Sequence, residues 1–474
     1  MPKDDDNDNP TGHSGKGGSQ KGSPRKRKNK SKRTIHKTTI IQPENLPQGS
    51  RFLGYQDYDV QDLLIQPFNT RYRLARYQTP DGTYCVGQLP ESVKGNHFGH
   101  TLQSYILYQY YHQRVTQRLI KKQLAEWHID ISTGQIQNIL IQHKQAFHDE
   151  KDKLLTAGIQ NSTYIQVDDT GSRHQGKNGY CTHIGNETFA WFSSTATKSR
   201  INFLQLLQGG STNYVINTDA LNYMKQEKLP KQPLSRLKAC HEHDFHNEED
   251  WLLFLARQKI HKKRHIRIAT EGALMGALIA QGFPRDLVIM SDDAGQFDVL
   301  LHTLCWIHTD RVFLRLSPLN QTHIKELDWV HTQIWDIFSD LKAYKLNPNQ
   351  QLKTSIDAHF DELCHTKTTY QSLNLALKRL ANNKKELLLV LERPDIPLHN
   401  NLSENDIREY VIKRKISGTT RSDEGRLCRD TFLSFIKTCF KQGISFWDFI
   451  VDRLKNHNLI PYLPDLLAGK VCIV

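Results

Sequence analysis

The 474-residue chain contains no apolar run long enough to cross a bilayer. A spanning helix needs roughly 18 consecutive apolar residues, and candidates such as Leu287–Met290 stop at strand length. With a mean hydropathy of -0.60, this argues against a membrane protein. Paired cysteines are also lacking. The eight thiols, at 85, 181, 240, 305, 364, 428, 439 and 472, form no C-x-x-C pair, which argues against a disulfide framework and a zinc ribbon. No apolar secretory core is visible at the N-terminus either. The chain is therefore expected to stay in a reducing cytoplasm. What it has instead is positive charge: 63 Lys and Arg against 50 Asp and Glu, a net +13. Such a balance favours a polyanionic partner, because neutralised phosphates release counterions.

A chain of this length predicts two to four domains. Residues 1–37 pass from an acidic start to the basic run Pro24–Arg33 and are expected to be a disordered tail. Residues 38–98 are Tyr-rich, with alternating stretches at Tyr72–Tyr77 and Thr83–Leu89 around Pro80–Asp81–Gly82, so a small β-hairpin module is predicted. Residues 99–155 turn helical. Within them Arg118–His143 reads as two helices, the second capped by Ser132 with a stripe of Ile136, Ile139 and Leu140, resembling a helix-turn-helix.

From 160 to 455 the pattern is mixed α/β. Strands are predicted at Tyr164–Val167, Tyr180–Ile184, Phe189–Phe192 and Tyr214–Asn217, with a helix at Ser199–Leu207 before the last of them. That is the opening order of a ribonuclease-H-like sheet. Further strands are expected at Leu287–Met290 and Leu300–Trp306. Helical insertions are expected at 220–283 and 318–395, the second with a stripe of Leu327, Val330, Ile334, Ile337 and Leu341. Three shorter helices follow within 398–455, one capped at Ser445–Asp448, and 456–474 reads as a tail.

Three acidic residues fall where a metal site on such a sheet needs them. Asp168 follows a strand in YIQVDDTGSRH, with Asp169 beside it. Asp292 follows another in VIMSDDAGQF, and Glu404 lies on a predicted helix in NNLSENDIREYV, where Arg408 and Val411 share its face. Transfer of a DNA phosphoryl group requires little more than two divalent ions held by carboxylates. Asp219, in VINTDALNY, also follows a strand and competes with Asp292 for the second position.

The block from Leu398 to Ile450 is similar to the C-terminal signature of insertion-sequence-66-type bacterial transposases. That signature has an Asn-Asn pair, a Glu three residues on, then Ile-Arg and Arg-Lys, then a basic Gly-containing loop and a Ser/Thr-rich helix. The matching residues are Asn400, Asn401, Glu404, Ile407, Arg408, Arg414 and Lys415. A second motif, Cys-Trp-x-His-x-x-Arg, stands as Cys305, Trp306, His308 and Arg311, and a third covers Val167–Thr170.

The resemblance implies a ribonuclease-H-like catalytic core interrupted by helical insertions, preceded by a helical DNA-binding region. It implies a DDE transposase that cleaves transposon ends and joins them to target DNA. Asp168, Asp292 and Glu404 would be both catalytic residues and ligands of two Mg²⁺ or Mn²⁺ ions. Asp292 is preferred to Asp219 because it precedes Cys305 in the family's order of motifs. Expected partners are DNA and further copies of the chain assembled on it, with no membrane, in a bacterial nucleoid-associated setting. Contacts to DNA are expected from Arg408, Arg414, Lys415 and Arg421. The alternatives are a catalytically inactive transposase-derived DNA-binding protein and a structure-selective nuclease of the same fold.

Three features remain outside this reading. The cysteine zinc module of many relatives is missing, with only Cys85 in that region. The cluster Cys240–His246 combines a thiol with three imidazoles but is read as a polar loop on an exposed insertion. Cys305 and His308 have C-x-x-H spacing and no second pair, so a structural role is expected, with the imidazole near the active site. The loop Arg414–Arg426 is expected to contact phosphate.

Overall fold

A computed structural model describes residues 34–90, 95, 97–209, 212–240 and 243–471. The expected tail thus lies largely outside the described residues. The chain divides into two units, Met1–Leu64 and Ile65–Val474. In the first, residues 34–64 carry no helix or strand and are exposed throughout, with Ile41, Leu53 and Tyr58 among their bare apolar side chains.

The second unit opens with a hairpin shorter than expected, β1 (Arg76–Gln78) against β2 (Tyr84–Val86), with Tyr77 opposite Cys85. Neither strand has a buried residue. Alternation produces the hairpin here, but no apolar partner gives it a core. Helices α1 (His100–Leu107), α2 (Gln117–Glu126), α3 (Thr133–Ile141) and α4 (Gln145–Gln160) follow, with a π-helical turn at Tyr108–His112. Ser132 caps α3: its hydroxyl accepts the Gln135 N–H at 3.1 Å, and Gln135 Oε1 accepts the Ser132 N–H at 2.9 Å. Ile136 and Leu140 are fully buried. They share one apolar core with Phe432, Phe435 and Phe449 near the C-terminus, so this helical pair is packed into the body of the unit.

Next come β3 (Tyr164–His174), β4 (Lys177–Gly185), β5 (Ala190–Thr195), α5 (Arg200–Leu207), β6 (Tyr214–Ile216), α6 (Thr218–Gln226), α7 (Lys231–Lys238), β7 (His243–Phe245), α8 (Glu248–Arg257), α9 (Lys263–Ala280), β8 (Val288–Ser291) and β9 (Leu301–Leu304). The central sheet has the order β5-β4-β3-β8-β9. Its first three strands are antiparallel, whereas β3, β8 and β9 are parallel.

Three expectations need correction. First, β3 runs well past Val167. Its parallel pairing with β8 stops at Gln166 opposite Met290, but its antiparallel pairing with β4 continues to His174 opposite Lys177. Asp168 therefore sits mid-strand, just beyond the end of the parallel ladder. Second, β6 pairs with β7 in a separate two-stranded sheet. Third, the block 220–283, expected as an exposed helical insertion, contributes to the main core. Ala273 and Leu274 of α9 belong to the same core as Ile165 and Val167 of β3. Gly276 lets α9 approach so closely that a Cβ there would lie 2.6 Å from the Val215 carbonyl.

Helices α10 (Trp306–Leu314), α11 (Gln321–Leu346), α12 (Gln350–His365), α13 (Gln371–Asn382) and the short α14 (Lys384–Leu387) form the second helical block. Val330, Ile334, Ile337 and Leu341 are buried along α11, as their spacing predicts, and Leu327 is partly buried. The chain ends in α15 (Asn401–Ser417), α16 (Asp423–Lys441), α17 (Phe446–Lys455) and α18 (Leu463–Leu467). The expected C-terminal tail is thus partly structural: Leu463 is fully buried, and its N–H donates to Glu150 Oε1 at 3.1 Å.

Helix α16 closes the β5 edge of the sheet. The N–H groups of Ala190, Phe192 and Ser194 on β5 donate to Thr438 Oγ1 (3.1 Å), Ser434 Oγ (2.9 Å) and Asp430 Oδ2 (2.7 Å). Four residues on a helix rise about 6 Å, close to the roughly 6.6 Å of two residues on a strand. Hydroxyl and carboxyl groups at every fourth helix position can therefore follow every second strand residue. This satisfies an edge that would otherwise pair with another chain.

Candidate active site

Side chains alternate across β3. Ile165 and Val167 enter the core beneath the sheet. Gln166, Asp168, Thr170 and Ser172 face α15, and three of them bond to that helix or its lead-in: Gln166 Nε2 to the His399 carbonyl at 3.2 Å, Arg414 Nη1 to Thr170 Oγ1 at 3.4 Å, and Ser172 to the Tyr410 hydroxyl at 2.7 Å. The same alternation separates the two aspartates. Asp169 points the other way, held by Gln296 Nε2 at 2.7 Å and Lys198 at 3.5 Å.

The start of α15 is fixed against this strand. The buried Asn400 donates through Nδ2 to the Val167 carbonyl at 2.8 Å, and its own N–H points to Cys305 Sγ at 3.2 Å. Ser403 N–H donates to Gln166 Oε1 at 3.3 Å. Together these bonds set Glu404 beside Asp168.

Behind them lies a buried polar network that sequence reasoning missed. His183, opposite Asp168 in the ladder, meets Ser403 Oγ at 2.7 Å and Asp406 at 3.2 Å. Asp406 also pairs with Lys441 at 2.9 Å and Lys437 at 3.3 Å. The available signal was a polar residue at every second position of β3, opposite Ser403 and Asp406 spaced three apart on a helix.

Asp292 follows β8 directly, and its Oδ1 accepts the Ala294 N–H at 3.2 Å. Burial pushes the Asp168 carboxyl up to about 7, and the charges of Asp292, Asp169 and Glu404 push the same way against a hydrogen bond from the Asp169 N–H. Asp168 therefore lies within reach of the charges of the other two carboxylates. Glu404 is flanked by His308 and Arg311, each 3.6 Å from one of its oxygens, while its buried Oε1 has no hydrogen-bond partner. Burial holds the His308 imidazole below its usual value, opposed by the Glu404 charge. Among the described residues, no three His, Cys, Asp or Glu side chains already converge closely enough to hold one ion.

Other sequence candidates lie elsewhere. Asp219 is in the first turn of α6 and is clamped by Arg285 at 2.7 and 2.8 Å. Arg408, expected to share the face of Glu404, is exposed and donates to Asn405 Oδ1 at 3.1 Å; Arg311, from α10, occupies the place beside the carboxylate. Lys415 and Arg421 are exposed. The loop after Ser417 is pinned rather than free, because Thr420 bridges to His174 and its N–H donates to the Arg173 carbonyl at 3.3 Å. In the Cys240–His246 cluster, residues 241 and 242 are outside the described residues. His246 there faces Asp244 at 3.7 Å and Asn213 at 3.2 Å.

The family described as "Transposase IS66 family" matches residues 95–244 and 259–427. The chain belongs to this transposase family. The interval between the two matches contains all of α8, and the matches themselves include Asp168, Asp292, His308, Arg311 and Glu404. An uncharacterized protein, y4jO, of Sinorhizobium fredii (strain NBRC 101917 / NGR234) is 40% identical over 320 residues, which cover 67% of this chain and all of that protein. A transposase role implies DNA as partner. Among the described residues, no helix is long and apolar enough to cross a membrane.

Proposed function

We propose that this IS66-family protein is an active DDE transposase, cutting DNA at transposon ends and joining the freed 3′ ends to target DNA. The observation that supports this reading is that Asp168 and Asp292 lie just past the end of the parallel β3–β8 ladder, with the start of α15, the helix that carries Glu404, bonded to β3 at Val167. The strand order, three antiparallel strands followed by two parallel ones, agrees with a ribonuclease-H-like core.

The donor set suits Mg²⁺ or Mn²⁺, which take oxygen ligands. Two such ions, held by Asp168, Asp292 and Glu404, would activate the attacking oxygen and stabilise the leaving one. The Glu404 Oε1, which accepts no hydrogen bond, and the raised Asp168 carboxyl, which has no ion pair among the described residues, fit a cation. The chain's own residues then have defined tasks. Asn400, Ser403 and Gln166 hold Glu404 in register with β3. Arg311 and His308 steady the Glu404 carboxylate, and Arg311 adds positive charge where phosphate would approach. Arg408, Lys415 and Arg421 are exposed and would contact the DNA backbone, and Arg414 would do so beside Thr170. Assembly of several copies on DNA belongs to the same proposal.

The test uses purified full-length protein, DNA carrying the element's own ends, a separate target DNA, and Mg²⁺ or Mn²⁺. Metal-dependent strand-transfer products that vanish in Glu404→Gln support the proposal. Cleavage without joining would favour the nuclease, and DNA binding without either product the inactive derivative.

A further inference from the structure

A cleft of about 220 Å³ opens between the turn after α1 and the outer sides of α15 and α16. It exceeds the roughly 10–15 Å³ that a single water requires. Its walls include Arg114, Glu409, Lys413, Arg429 and Lys437, with Tyr111 and Leu433 supplying apolar surface. Lys413 lies nine residues beyond Glu404, about two and a half helical turns. The cleft therefore backs onto the face of α15 opposite the acidic site.

The charges in this cleft do not balance. Lys413 and Arg429 are each more than nine-tenths buried. Lys413 donates to the Tyr110 carbonyl and sits 3.7 Å from the Tyr110 ring centre. Arg429 reaches the Gly418 carbonyl at 3.4 Å. Neither has a carboxylate partner among the described residues. The adjacent Asp430 spends both oxygens on Ser194, and Lys437 is taken by Asp406. The one acid in the wall, Glu409, pairs with Arg114. Buried cations are ordinarily paired, because desolvating an uncompensated charge is costly.

We propose that this cleft binds a phosphate group, seated on Lys413, Arg429 and Arg114, with Glu409 as the competing anion that the phosphate displaces from Arg114. A DNA phosphodiester and a free phosphate present the same chemistry, and both are accommodated. Burial, together with the charges of Arg429 and Arg114, pulls the Lys413 ammonium down to about 7, as an amine lacking its counter-ion should be. The inference does not depend on the reading of the acidic triad.

The test compares the full-length wild type with Lys413→Met and Glu409→Gln. Thermal unfolding is followed while inorganic phosphate replaces chloride at constant ionic strength, and binding of a short DNA duplex is followed against salt. Free phosphate as the ligand predicts a phosphate-dependent rise in Tm. Its apparent affinity is about tenfold weaker in Lys413→Met and tighter in Glu409→Gln, with the DNA salt slope unchanged. A DNA phosphodiester as the ligand predicts a salt slope lower by about one in Lys413→Met. Should Lys413→Met not fold, Glu409→Gln decides, because removing the competing carboxylate must tighten phosphate or DNA binding. Identical phosphate responses and identical DNA salt slopes in all folded proteins overturn the proposal.

Discussion

Replacing Asp168 by Asn should stabilise the folded protein at neutral pH while removing a group proposed to take part in the chemistry. In the fold its carboxyl is raised from 3.8 to about 7, with burial the first cause. Ionising such a group in place costs roughly 4 kcal/mol at about 1.4 kcal/mol per tenfold in acidity. Solvent screening at this half-buried site brings the figure to roughly 2 kcal/mol. The sign follows from proton linkage. Between pH 4 and 7 the folded state holds the proton more firmly than the unfolded state, so wild-type stability falls as pH rises through that window. Asn carries no ionisable proton, so Asp168→Asn should match the wild type near pH 4 and exceed it by about 2 kcal/mol at pH 8. Urea unfolding of both proteins in chelator, across pH 4 to 8, measures the difference. Equal stability at both ends, or a variant weaker at pH 8 than at pH 4, would refute the reasoning. Added Mn²⁺ should then narrow the gap, because a cation relieves the wild type alone.

Three further outcomes follow from the packing. Asp406→Asn removes the carboxylate shared by His183, Lys437 and Lys441 and should cost about 3 kcal/mol in urea unfolding. Burial opposes the Asp406 charge, but the His183 hydrogen bond and the Lys441 ammonium outweigh it and hold the carboxyl well below the usual range. Its contribution is therefore present above pH 4 and lost as the pH falls further. Ser434→Ala leaves the Phe192 N–H without its acceptor and should cost about 1–3 kcal/mol, with faster hydrogen exchange at that amide. Gly276→Ala forces α9 away from β6 and should cost about 1–3 kcal/mol, read as a lowered Tm.

How much of this could be read from sequence depends on whether the signal is local. Ser132 as a helix cap, the α11 stripe and most strand cores depend on neighbours within a few residues, and those elements stand where spacing puts them. The extent of β3 does not. Tyr164–Val167 is the apolar part, but the strand continues because β4 pairs with its polar half, a partner that no local pattern reveals. Tyr214–Ile216 looks like any other core strand and pairs with β7 instead, so Asp219 looked like a rival ligand. The polar residues that hold Glu404, from Gln166 and His183 to Ser403 and Asp406, come from three elements. Their purpose is visible only when those elements meet. The block 220–283 reads as peripheral because its small residues, Gly272 and Gly276, give no hydrophobic signal, although they let α9 pack closely against α6 and β6.

The central claim is that Asp168, Asp292 and Glu404 form the reactive centre and Asp219 does not. Single-turnover cleavage of DNA carrying the element's ends, in Mg²⁺ and in Mn²⁺, tests it most directly across Asp168→Asn, Asp292→Asn, Glu404→Gln and Asp219→Asn. The account predicts that the first three fall by at least about a thousandfold, the scale of losing a group that stabilises the transition state. Asp219→Asn, which breaks only a surface pair with Arg285, should keep wild-type cleavage within a few-fold. Retained cleavage in any of the first three, or its loss in Asp219→Asn alone, would contradict it.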